Sequence, residues 1–114
     1  MIAHFVLFRP RPDLPDAERH GLAEAFGAAL RAIPSIRRAR IGRRVTHGRG
    51  YETLMRSDYP YVAVLEFDDL AGLMAYLEHP AHEALGARFF STFEEALMYD
   101  FDLAEGPEAI ERLL

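Results

Sequence analysis

From Ile2 to Phe8 every side chain but one is apolar: Ile2, His4, Val6 and Phe8 fall on one face of an extended segment, Ala3, Phe5 and Leu7 on the other. Arg9-Pro10-Arg11-Pro12 closes this strand, because proline offers no N–H to a central ladder. The period then lengthens. Leu22, Phe26, Leu30 and Ile33 recur at helical spacing and predict a helix from about Leu14 to Ala32, opened by Asp13, Pro15 and Asp16 and ended by Pro34. Gly21 and Gly27 each weaken it by about 1 kcal/mol relative to Ala, so docking of the apolar stripe has to hold it.

Between Ser35 and Val45 charge alternates with small or apolar residues, Arg38, Arg40 and Arg44 against Ala39, Ile41 and Val45, which predicts a half-exposed strand near an edge. Thr46 to Pro60 has little periodicity and is long for a hairpin connection; loops of that length often border a site. Tyr61 to Phe67 is the clearest strand, with Tyr61, Ala63, Leu65 and Phe67 alternating against Val62, Val64 and Glu66. Asp68 or Asp69 caps a helix marked by Leu70, Leu73, Met74 and Leu77, which ends near His79. Leu85, Phe89, Phe90 and Phe93 mark another helix, which turns near Glu94 and Glu95 into a last strand from about Leu97 to Leu103. Gly106-Pro107 breaks the chain, and Glu108 to Leu114 forms a short amphipathic tail that can dock on a neighbour.

The order β-α-β-β-α-α-β predicts an α+β fold of ferredoxin-like kind, a four-stranded antiparallel sheet with its helices on one face. Helices cover only one face, yet the first and third strands are apolar on both. The second apolar surface would lie in water unless a two-fold dimer packs sheet against sheet, so a homodimer is expected.

Composition removes several chemistries. The 114 residues have no Cys, which excludes disulfides, thiol nucleophiles and Cys-ligated zinc. All thirteen basic residues are Arg, so lysine Schiff-base chemistry is excluded as well. A net charge of −5 argues against a nucleic-acid partner, despite the local cluster Arg37, Arg38, Arg40, Arg43 and Arg44. The N-terminus has no basic n-region and no small-residue cleavage site, and no run approaches the roughly 20 apolar residues of a membrane span. A cytoplasmic protein with no membrane partner is expected.

The densest chemistry lies in Tyr76-Leu77-Glu78-His79-Pro80-Ala81-His82. Pro80 forces one helix to end and can open the next, which places both histidines at a corner rather than along one helical face. His79 and His82 are three apart, but the proline breaks the regular helix that metal-ligand spacing would need and no carboxylates complete a ligand set, so no metal is expected. Gly48-x-Gly50 lacks the third glycine and the preceding βα turn of a dinucleotide fingerprint. No cofactor is expected. A neutral imidazole can take a proton from carbon beside a carbonyl and a phenol can hydrogen-bond the enolate, which makes His82 and Tyr76 a sensible base and donor. The alternative on the residues alone is that His82 fixes the corner while Tyr76 fills the core. His4 reads as a satisfied buried histidine.

The opening Ile2-Ala3-His4-Phe5-Val6-Leu7-Phe8-Arg9, the strand Tyr61-Val62-Ala63-Val64-Leu65-Glu66-Phe67, the corner His79-Pro80-Ala81-His82 and the ending Met98-Tyr99-Asp100-Phe101 together resemble the stress-responsive A/B barrel (Dabb) family of dimeric α+β barrels. The resemblance covers residues 1–103 and leaves 104–114 as an appended tail. It implies a homodimer in which each ferredoxin-like unit has a pocket between sheet and helices for a small apolar or polyketide-like molecule. Most members have no established activity; some are stress-related or structural, and one plant member is a cofactor-free polyketide cyclase. In that member the functional pair is a tyrosine six residues before the second histidine of the corner, which matches Tyr76 and His82 as catalytic residues. His4, Val6, Phe8, Tyr61 and Phe89 are then the expected substrate contacts. Tyr61 stands where the cyclase has a histidine, and the 46–60 loop is longer than its counterpart.

Overall fold

The computed structural model describes residues 1–114. Strand β1 (Ile2–Pro10), apolar on both faces, takes the position that needs it: it is hydrogen-bonded on both sides, to β3 (Tyr61–Phe67) and to β4 (Phe93–Asp102). β2 (Arg38–Arg43), the strand with alternating arginines, lies at an edge beside β3. The sheet order is β2-β3-β1-β4, and every neighbouring pair is antiparallel. Register puts Phe8 opposite Tyr61 and Ala96, Val6 opposite Ala63 and Met98, and His4 opposite Leu65 and Asp100.

Helices α1 (Asp16–Ala32), α2 (Leu70–Glu78) and α3 (Pro80–Thr92) cover the face that carries these residues. Val6, Phe8, Ala63, Leu65 and Phe67 of the sheet pack there against Ala29, Ile33, Leu73, Tyr76 and Leu85. On the opposite face Phe5, Leu7, Val62 and Val64 are joined by Leu97, Tyr99 and Phe101 of β4, and the last two remain about half exposed. This is the second apolar surface that the patterning of the strands requires. A short helix, α4 (Glu108–Leu113), follows Gly106, whose φ of +89° is available to glycine without strain.

Four expected boundaries shift. α1 starts at Asp16 rather than Leu14, with Pro15 at its N-cap and no side chain capping it; Asp16 sits in the first turn instead. β2 is shorter than Ser35–Val45. α3 ends at Thr92, so β4 begins at Phe93 rather than Leu97, because a register shift between Arg9 and Pro10 lets Phe93 pair with Pro10. The 46–60 segment contains a 3₁₀ turn, Gly50–Leu54, and is organised around Glu52, which accepts hydrogen bonds from the His47 and Gly48 amides. No helix is long and apolar enough to cross a membrane.

Candidate functional site

Pro80 builds the corner as the sequence requires. His79 adopts the extended conformation imposed on a residue before proline (φ −71°, ψ 140°), closes α2 through its N–H to the Tyr76 carbonyl, and caps α3 through Nδ1, which accepts the Ala81 N–H at 3.0 Å. His79 is therefore spent on the backbone. His82, in the first turn of α3, and Tyr76, in the last turn of α2, turn toward each other and toward the sheet, with ring centroids 4.6 Å apart in edge-to-face contact. His4 approaches Tyr76 from β1 at 5.8 Å.

These three rings line one end of a cleft of about 430 Å³ between sheet and helices. Val6, Phe89, Phe90, Phe93 and Met98 supply its apolar walls, and Glu94 and Glu95 stand at its rim. Phe90 is almost wholly exposed, as a wall residue at an open mouth would be. Tyr76 is 3% exposed and its hydroxyl bonds no group of the protein, yet the oxygen is not sealed from the cleft.

The electrostatics separate the two rings of the corner. Burial, reinforced by the neighbouring His4, lowers the His82 pKa below its ordinary value of 6.5, against the pull of the Leu77 carbonyl. Burial, reinforced by the Asp100 charge, pushes the Tyr76 phenol up to about 12. At neutral pH the corner therefore presents a neutral imidazole beside a protonated phenol, one able to accept a proton and the other to donate a hydrogen bond. His4 is held differently. Its Nδ1 lies 2.6 Å from Asp100 Oδ1, and since an ionised carboxylate only accepts, Nδ1 carries the proton of this bond.

Of the residues expected at the site, Tyr76, His82, His4, Val6 and Phe89 line this cleft together. Phe8 and Tyr61 do not: they stack on each other at 5.6 Å, and Phe93, stacked on Phe8 at 4.4 Å, stands between them and the imidazoles. The reason is register, since the Phe8–Tyr61 pair lies four residues, roughly 13 Å, along the sheet from the His4–Leu65 pair. Sequence reasoning missed Asp100, the partner of His4, and the wall residue Met98. The available signal was topological: once β4 neighbours β1, the phase Met98, Asp100 must share the face of Val6 and His4.

No three or more His, Cys, Asp or Glu side chains converge as a metal site. A larger hollow of about 570 Å³ lies across the sheet, where Leu7, Val62 and Leu97 meet the 46–60 loop, and it has no imidazole. That loop is nonetheless tied to the imidazole cleft: Arg9 donates to the Asp58 carbonyl, Glu94 and Glu95, and the Tyr59 hydroxyl donates to Glu95 at 2.8 Å.

A four-stranded antiparallel sheet with this order, helices on one face and a cleft between the layers defines a ferredoxin-like α+β protein. Over residues 2–103 the chain matches the model of the Dabb family, the stress responsive A/B barrel domain, and it belongs to that family. Olivetolic acid cyclase from Cannabis sativa is 20% identical over 100 residues, which are 88% of this chain and 94% of that protein. Solved structures share the fold. A hydroxynitrile lyase from Passiflora edulis superposes with a TM-score of 0.73 at 16% identity, covering 92% of this chain and 94% of its own. A dimeric ferredoxin-like protein from Thermobifida fusca YX gives 0.68 at 24% identity, covering 90% of each chain.

Proposed function

We propose that this protein is a cytoplasmic homodimer, formed through the open face of the sheet by residues 1–103 with 104–114 as an appended tail. In each protomer the imidazole cleft acts without a cofactor on a small, largely apolar, aromatic or polyketide-like carbonyl compound. The observation that carries the reading is the contact of a neutral His82 with a protonated Tyr76 at the polar end of an apolar cleft. A dimer with a purely structural or stress-protective role would have no use for 430 Å³ of open space there.

In this mechanism the His82 imidazole takes a proton from the carbon next to the carbonyl, and the Tyr76 hydroxyl hydrogen-bonds the oxygen on which the enolate charge develops. The carbanion then attacks a second carbonyl of the same molecule, as in aldol ring closure, or expels a leaving group, as in a lyase. The proton on His82 returns to the new alkoxide or to the departing group, which restores the neutral ring. The apolar walls keep water from the enolate. A cyclase is among the relatives, and a hydroxynitrile lyase shares the fold.

Deuterium exchange tests the first step directly. With an aryl methyl ketone or a 1,3-dicarbonyl compound in D₂O, the protein should catalyse exchange of the C–H beside the carbonyl. His82→Ala should lower that rate by about 10²- to 10⁴-fold, the usual worth of a general base. An unchanged rate in the variant contradicts the assignment.

A further inference from the structure

Phe93 belongs to two cavities. On the side away from the imidazoles it borders a second cleft of about 410 Å³, whose apolar lining includes Phe8, Leu14, Leu22 and Tyr61. The Phe8–Phe93 stack, backed by Phe89 at 4.6 Å from Phe93, forms an aromatic wall shared by the two spaces. The charges differ on its two sides. The imidazole cleft is lined by no arginine and has Glu94 and Glu95 at its rim, whereas the second cleft is lined by Arg11 and Arg19.

Both guanidiniums have unused capacity. Arg11 gives one amino group to Glu18 at 2.7 Å, its other amino group bonds nothing in the chain, and its Nε is the one buried side-chain polar atom of the protein without a partner. With the side chain 41% exposed, the free amino group rather than the sealed Nε is the donor a ligand can reach. Arg19 makes a single contact, 3.3 Å to Asp16 between two exposed side chains, which contributes little.

We infer that the second cleft receives the carboxylate of the molecule whose reacting part lies in the first, so that the ligand is an elongated, largely apolar carboxylic acid. This rests on the imidazole cleft being the reactive site. The spacing sets a minimum length: His4 and Phe8 are roughly 13 Å apart along β1 and Arg11 lies beyond, so at least about that distance separates the reacting carbon from the acid. A planar monoanion suits paired guanidinium donors, while a phosphate dianion would crowd Glu18 and Asp16. The Phe8–Tyr61 pair, set apart from the imidazoles, becomes the wall of this acid-binding half.

Dodecanoate and methyl dodecanoate, equal in chain length and different in charge, are the probes, with binding measured by calorimetry and the His82 imidazole followed by NMR. The expected result is dodecanoate at least 10-fold tighter than the ester, both shifting His82. Arg11→Gln/Arg19→Gln should erase the preference by weakening the acid and leaving the ester unchanged, and Arg19→Gln alone, at an exposed position, should reduce it without touching the fold. Equal affinity for acid and ester in the native protein, acid binding that ignores both arginines, or no binding of the acid overturns the inference. If the ester shifts His82 and the acid has no advantage, the arginine site falls and the reactive cleft stands. If acid binding depends on the arginines but His82 does not respond, the link between the two clefts falls, and with it the claim that this ligand meets the imidazole.

Discussion

His82 and Tyr76 bracket the pH range in which their chemistry works. A base must be neutral and a donor protonated, so activity should rise with an apparent pKa below 6.5 and then hold through neutral pH, the phenol surviving to about 12. The same shifts bear on stability with opposite signs. His82 binds its proton more readily unfolded than folded, so stability falls as pH drops through 6.5 and below. Tyr76 holds its proton more tightly folded, so its contribution is complete below pH 10 and is lost between 10 and 12, on the order of 2–3 kcal/mol from its two-unit shift. Thermal melts across both ranges check the signs. Tyr76→Phe keeps the ring contacts with Phe67, His4 and His82, so it should fold normally and lose roughly 10- to 10³-fold in exchange rate, read by the deuterium assay. The corner was legible in the sequence because Pro80 forces a break between two helices, whereas the pairing of Tyr76 with His82 and the place of His4 in the pocket were expected from the resemblance to the Dabb family. Asp100 was not, since its meaning comes from a partner 96 residues away.

At the scale of elements the corner carries the site. His79 closes one helix and starts the next, which fixes the angle at which Tyr76 and His82 meet. His79→Ala removes the acceptor for the Ala81 N–H and should cost about 1 kcal/mol in denaturant melts, with a loss of exchange rate larger than that stability change explains. The proline made this break readable in advance. Gly21, which looks only destabilising in a helical segment, lies where α1 and α3 approach, with the flexible Arg88 guanidinium 3.0 Å from where a Cβ would stand. The β4 boundary was misplaced because Phe89, Phe90 and Phe93 keep helical spacing past the true helix end, and only pairing with β1 decides where Phe93 belongs. Register likewise moved Tyr61 and Phe8 out of the imidazole cleft.

For the molecule as a whole, the decisive feature is the face that the helices do not cover. Phe5, Leu7, Val62, Val64, Leu97, Tyr99 and Phe101 form a continuous apolar sheet surface, of the kind soluble monomers rarely leave open. That inference came from strand patterning alone, and relatives of this fold are dimeric. Light scattering at micromolar concentration should give twice the mass of one 12.9 kDa chain. Phe101→Asp, at a half-exposed position of the lone protomer, should give a folded monomer, whereas a dimer that survives the substitution would place the interface elsewhere.

Everything proposed for the cleft requires that His82 be a reactive base facing a ligand. That requirement is tested most directly by NMR of histidine-labelled protein, titrated from pH 4 to 9 with and without an apolar aryl ketone. The prediction is a His82 resonance with a pKa below 6.5 that shifts when the ketone binds, together with His4, while the capping ring of His79 stays unmoved by the ketone. A His82 that titrates at or above 6.5 and ignores the ketone would contradict it.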